Sequence, residues 1–243
     1  MYKRQAISHG EKLYETSKRV KKERILKKNR KFSELPKLFQ KKILAIPSDL
    51  LFMKYSPEEI ISIANIAKGL KNKEYSVHIR TCNFLTIEVI RKDNFDISYL
   101  LHKLSRLDIV NMDICKLFLD TKYFKLEFNE TINEDERPIL EELIREALTT
   151  VHNLNLTPPI IEQKNMTIDC NHSQEYAMMK LQCDNQKGLI SYLIQIFDDL
   201  KIDISSAKIH TKSNRVSDLF LIEKNGNFCN NIELLKERII KNN

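Results

Sequence analysis

The order strand, helix, strand, strand, helix occurs twice between residue 75 and the end of the chain. That repetition constrains the fold more than any single motif. In the first pass, "FLTIEVIRK" puts Leu85, Ile87 and Val89 on one face and Thr86 and Glu88 on the other, the period of two of a half-buried strand. Ile97, Leu100, Leu101 and Leu104 then recur at helical spacing. "LDIVNMDICKLFL" and "YFKLEFN" read as a hairpin about "DTK", and "NEDERPILEELIREALTTV" as a helix with Pro138 in its first turn. In the second pass "YAMMKLQC" is the strand, and Leu189, Leu193, Ile196, Phe197 and Leu200 form the helical stripe. "KIDISSAKIHT" and "RVSDLFLIEK" make the hairpin, and "NNIELLKERIIK" is the last helix.

Lys116 and Lys208 stand at equivalent points, as do Asp93 and Asn185, each pair 92 residues apart. A period of that size is a duplicated domain and not a solenoid, whose units run to about 50 residues. In the second pass Ile202 and Ile204 face inward, and then Ala207 and Ile209, so the alternation slips at Ser205–Ser206. Val110 and Met112, followed by Cys115 and Leu117, suggest the same slip in the first pass, and a β-bulge produces such a change of parity. "MTIDC", residues 166–170, also alternates, and is expected at a sheet edge in or beside the second domain.

Upstream, residues 11–70 read as helices. "YSPEEIISIANIAKGL" has Ser56 as cap, Pro57 in the first turn and Glu59 closing a capping box, with Gly69 at the exit. "LPKLFQKKILAIPSDLLF" is a shorter helix stopped by Pro47. Residues 1–42 hold 15 Lys/Arg against 4 Asp/Glu, whereas the other 201 hold 25 against 29, so the basicity belongs to one segment. Without interleaved aromatics to stack on bases, that segment reads as a solvated helical linker before it reads as a phosphate-backbone contact. Nucleic acid is therefore not the expected partner.

Five cysteines, Cys82, Cys115, Cys170, Cys183 and Cys229, are odd in number, far apart and without a CxxC. They are expected as reduced thiols in a cytoplasmic protein. The start has no apolar h-region, and no run approaches 18 apolar residues, so neither a signal peptide nor a membrane span is expected.

The connection between strand and helix in the second pass, "CDNQKGLI", holds Gly188, one of four glycines in 243 residues. A helix N-terminus with free N–H groups suits a carboxylate, and a glycine there permits close approach of a backbone or ligand or tight strand-to-helix packing. "CDNQKGLISYLIQIFDDLKIDISSAKIHTKSNRVSDLFLIEK" resembles an ACT domain. That family has an Asp-Arg-Pro-Gly-Leu turn after its first strand, Ile-x-x-Ala-x-Ile-x-Thr in its second, and Asp-x-Phe near the start of its third. Gly188 and Leu189 match the turn; Ile204, Ala207, Ile209 and Thr211 match the second element; Asp218 and Phe220 match the third. Two such domains in tandem after basic helices resemble the C-terminal region of the bacterial PII uridylyltransferases, which sense glutamine through ACT domains.

The resemblance implies an α+β chain with two ferredoxin-like (βαββαβ) ACT domains preceded by an α-helical basic segment. The regions are a helical linker over 1–72, a degenerate first ACT domain over 73–165 and a second over 166–243. It also implies a regulatory module with L-glutamine as effector, held at Asn185, Gln186, Lys187, Gly188 and Leu189, with Asp93 as the counterpart in the first domain. Partners would be its own catalytic domains or a PII protein, with a homodimer through the ACT sheets. Both copies depart from the pattern: Asn185 replaces the usual aspartate, and Asp96 stands at the first copy's glycine position, making that copy the poorer binder. Gly-Ser…Asp-x-Asp and His-Asp strings are absent, so no catalysis, metal or cofactor is expected of this chain. The alternatives are a ligand-free docking module or a polyanion binder acting through the basic helices.

Overall fold

A computed structural model describes residues 19–70, 73–212, 214–224 and 227–240. The helical reading of residues 11–18 lies outside the described residues. Helices occupy 19–28 (α1), Arg30–Ser33 (α2), Lys37–Leu44 (α3), Asp49–Lys54 (α4) and Pro57–Gly69 (α5). Then come strands Tyr75–Arg80 (β1) and Thr86–Arg91 (β2), helix Ile97–Lys103 (α6), strands Ile109–Lys116 (β3) and Lys122–Phe128 (β4), and helix Arg137–Thr149 (α7). The second pass runs Met166–Asp169 (β5), Tyr176–Asp184 (β6), Leu189–Asp199 (α8), Ile204–Lys208 (β7), Thr211–Lys212 (β8), Arg215–Glu223 (β9), Asn227–Asn230 (α9) and Ile232–Ile239 (α10).

The strands form one sheet in the order β1-β2-β4-β3-β7-β9-β6-β5, with β8 pairing β9. Among the described residues the order reads alike from either end: an edge strand, the strand before the helix, then the hairpin. This α+β arrangement departs from βαββαβ in one respect. The fourth strand of each set comes from before the helix-flanking strand and not from the chain that follows. β5 fills that place, pairing antiparallel with β6 from Met166↔Leu181 to Asp169↔Met178, so "MTIDC" lies at the edge as expected. β1 takes the same place beside β2. The reason is hydrogen-bond satisfaction: the open side of β2 or β6 needs a partner, and a strand arriving from upstream supplies one as well as a later one would.

The bulge in the second pass is present, because the β7–β9 register shifts between Ile204 and Ser206, leaving Ile202, Ile204, Ala207 and Ile209 buried. In β3, Val110 departs from the expected inward set. Val110 is 37% exposed, and Cys115 and Leu117 are buried in the core of the N-terminal helices.

Two compact units emerge. One comprises the described residues up to His78 with Ile87–Asn94 and Asp113–Lys125. In it Leu26, Phe32, Phe39, Ile43, Phe52 and Ile60 close onto Ile90, Cys115, Leu117 and Tyr123 from the strands. The capping box of Ser56 and Glu59 opens α5 as the sequence suggests. Arg19 fastens the corner between α3 and α4, donating to Ile46 O at 2.8 Å and pairing with Asp49. Buried Asp113 accepts from Tyr55 Oη at 3.1 Å and pairs with Lys54. Lys21, Arg24, Lys27, Lys28, Lys31 and Lys37 are on the exposed side of α1–α3, a solvated charged face over an apolar core.

The other unit comprises Ile79–Thr86, Phe95–Met112 and the chain from Leu126 onward. Here α6 and α8 pack together. The β3 and β7 edges meet, Ile209 N donating to Val110 O at 3.1 Å. Phe197 of α8 meets Phe220 of β9 edge-on, ring centroids 5.6 Å apart.

The expectation of five reduced thiols is overturned by a disulfide between Cys170, just after β5, and Cys229 in α9. Their Cα atoms lie 6.1 Å apart, within the span a disulfide bridges. Cys82, Cys115 and Cys183 keep their thiols. A separation of 59 residues hides the pairing from sequence, because only the folded edge strand and the last helices bring the two together. The cysteine pattern therefore no longer argues for a reducing compartment.

Candidate functional site

β6 ends at Asp184, and a four-residue turn leads into α8. Asn185 N donates to Asn214 O at 2.9 Å, and Leu189 N to Gln186 O at 3.1 Å. Gly188 is the N-cap residue, with φ +81°, and no side chain caps the helix. A Cβ at Gly188 would meet nothing within 4 Å. So the glycine serves the left-handed backbone, which costs other L-residues about 1–2 kcal/mol. It does not relieve tight strand-to-helix packing, and the space beside it is open. Asn185 and Lys187 are exposed, Gln186 and Gly188 half-buried, and Leu189 is anchored in the core.

The corresponding turn of the first pass is closed. Asp96 caps α6: its Oδ1 accepts from Tyr99 N at 2.9 Å and from Ser98 Oγ at 2.8 Å. Its Oδ2 accepts from His152 N at 2.8 Å, and the His152 ring stacks on Tyr99 with centroids 3.6 Å apart. The aspartate at the glycine position thus supplies the chain's own carboxylate to the helix N-terminus. Asp93 lies in an exposed bend before it.

His152 belongs to the connector from α7 to β5, a segment without a sequence signal recognised beforehand. From 151 to 157 it alternates exposed and half-buried residues, so it runs extended along the unit's surface. Gln195 of α8 donates to Leu154 O at 3.2 Å. At its far end Ile160 N donates to Gln186 Oε1 at 2.6 Å, while Gln186 Nε2 donates to Ile160 O at 2.9 Å. Ile161 is fully buried behind this contact. The clue available in the sequence was "TPPI": two prolines stiffen the approach in an extended form.

Residues 165–237 match the model of an ACR9-like, ACT-like domain. The chain carries an ACT-like domain. The match begins at the residue before β5 and ends within α10, so the edge strand supplied from upstream counts as part of the ACT-like domain. Gln186, Gly188 and Asp218 lie inside it, whereas Ile160 reaches it from outside. No helix among the described residues is long and apolar enough to cross a membrane. Among those residues no group of three or more His, Cys, Asp or Glu side chains could hold a metal ion.

Within the ACT-like domain, Asp218 of the Asp-x-Phe pair is fully buried. Its Oδ1 accepts from His210 N at 3.2 Å, bridging the break between β7 and β8, and its Oδ2 has no partner among the described residues. Burial raises its carboxyl to about 7, opposed by the His210 N–H bond. Cys183, on the neighbouring strand, is pushed up to about 11 by burial and then by the Asp218 and Asp184 charges, so it stays an inert thiol. Between the ordinary aspartate value near 4 and about 7, the folded state binds more protons than the unfolded state. Stability therefore falls as pH rises through that window. Denaturant midpoints should drop by the equivalent of about 2 kcal/mol between pH 5 and pH 8, and Asp218→Asn should remove that slope.

Proposed function

We propose that this chain is a regulatory module that binds a small amino acid, L-glutamine first, at residues 185–189 of its ACT-like domain. The observation that carries the reading is the contrast between the two turns. The second has a left-handed glycine, open space beside it, and an eleven-residue helix whose N-terminus no side chain caps. The first has its helix capped by Asp96. A ligand carboxylate can take at α8 the part that Asp96 plays at α6, with N–H groups and the helix dipole favouring the charge.

The first pass, with the same elements and strand order, is on this reading a degenerate ACT domain, and the chain corresponds to the C-terminal region of a PII uridylyltransferase. Its role is signalling and not catalysis. Occupancy favours one packing over another, and attached catalytic domains or a PII protein respond to that shift in population. A ligand-free docking module is the second reading, favoured by Asp96 because one of two sites is already filled from within.

Calorimetric titration of the chain with L-glutamine decides between them: heat saturating below millimolar ligand supports the sensor, and none at millimolar supports the docking module. Gly188→Asp sharpens the test. It copies the first pass, places a carboxylate near the ligand's own, and fills the open space. Like charges about 4 Å apart cost about 1 kcal/mol even in water. Binding should fall at least about tenfold. Left-handed strain should lower stability by only about 1 kcal/mol, since aspartate tolerates that region better than most residues.

A further inference from the structure

The connector between α7 and β5 touches both turns, and each time through its backbone. At the first, His152 N is held by Asp96; at the second, the Ile160 peptide offers one donor and one acceptor to the Gln186 carboxamide at 2.6 and 2.9 Å. Gln186 is a residue of the very turn to which the proposed ligand is assigned. Its Oε1 and its amide N–H are both committed to the connector.

We propose that the connector is an intramolecular strap whose Ile160 end competes with the ligand for Gln186, so that an amino acid bearing a carboxamide releases it. This rests on the assignment of the ligand to the Gly188 turn. The chemistry follows from the pair itself. A peptide presents C=O and N–H side by side, and Gln186 reads both at once. Among small amino acids, a primary carboxamide offers the same donor and acceptor to that side chain, while a carboxylate offers acceptors only. Glutamine can therefore replace the Ile160 peptide bond for bond, whereas the side-chain carboxylate of glutamate has no donor for Gln186 Oε1.

The strap is poised for such exchange. Ile160 is 62% exposed, so its peptide can leave Gln186 without stripping a buried side chain of its own. Its other anchor is separate from Gln186, with the Asp96 side chain buried and that of His152 half-buried. Release at Ile160 would thus free one end and keep the other, converting occupancy of the second turn into a change in the segment joining the two passes. Gating of this kind also lowers apparent affinity, because only strap-open molecules bind.

Ile160→Pro tests this while leaving every residue of the turn unchanged, since proline lacks the N–H that Gln186 accepts. Deuterium uptake across residues 153–162 and calorimetric affinity are measured together, with glutamine and with glutamate. In the parent, glutamine should raise uptake near Ile161 and glutamate should not. In Ile160→Pro, uptake there should be high without ligand, and glutamine should bind about three- to tenfold more tightly. Glutamine binding with unchanged uptake in the parent, or equal release by glutamate, would overturn the strap alone. No binding to either protein would instead overturn the ligand assignment on which it rests.

Discussion

Phe220→Ala should destabilise the chain by about 3–5 kcal/mol, the usual cost of truncating a fully buried aromatic. Phe220 is 0% exposed and sits where three strands meet, opposite Met179 of β6 and Ala207 of β7. Beneath α8 its ring meets Phe197 edge-on, a geometry worth about 0.5–1.5 kcal/mol beyond burial. Ala207 gives the site its shape: on the β7 side of the ring it is too small to fill the gap. Denaturant unfolding should show the midpoint falling sharply, and Phe220→Leu should recover part of the loss. A loss below about 1 kcal/mol would mean that this pair is not the centre of the domain's core.

The second large effect belongs to the disulfide. Cys170 and Cys229 enclose β6, α8, β7, β8 and β9, at a sequence separation of 59. Restricting a loop of that size lowers the entropy of the unfolded chain enough to be worth about 4 kcal/mol in the loop-closure picture, and about 2–4 in practice. Cys229→Ser should therefore lower the melting temperature by several degrees at least, and adding a thiol reductant should lower the parent to match. The edge strand β5 should feel it first, because the bond ties the residue after that strand to the terminal helices. Amide exchange in 166–169 should rise more than in β9 at the sheet interior. A parent indifferent to reductant would exclude the bond from the protein's stability.

Much of this architecture is written locally. Ser56, Pro57 and Glu59 specify the start of α5 because capping is settled within four residues. The stripe from Leu189 to Phe197 and the alternation of β9 specify a helix and a half-buried strand for the same reason. The edge place of β5 could be inferred from its alternation and its position before β6. What stayed hidden depends on distance or on competing layers. Val110 has the pattern of an inward residue, yet its side is decided by what covers β3. Cys170 and Cys229 meet only once the sheet is closed.

The candidate site divides in the same way. Gly188 stood out because glycine is scarce, but the reason for it, a left-handed backbone with open space, requires the fold. Asp96 was legible as an obstacle to a ligand; its role as cap and as anchor for His152 was not. Asp218 was visible as half of Asp-x-Phe, while its burial and its bond to His210 depend on the break between β7 and β8. The connector carries no comparable signal, having neither helical nor strongly apolar periodicity. Its contact with Gln186 runs through backbone atoms, which every residue possesses.

Sensing through the second turn requires an amino acid to bind there. Titrating isotopically labelled protein with L-glutamine, and following each backbone amide by NMR, locates it directly. The prediction is saturable shifts at Asn185, Gln186, Gly188, Leu189 and Ile190, with smaller ones near Ile160, and none at Asp93 or around the capped turn of Asp96. Shifts centred elsewhere, or no shifts at millimolar glutamine, would contradict it.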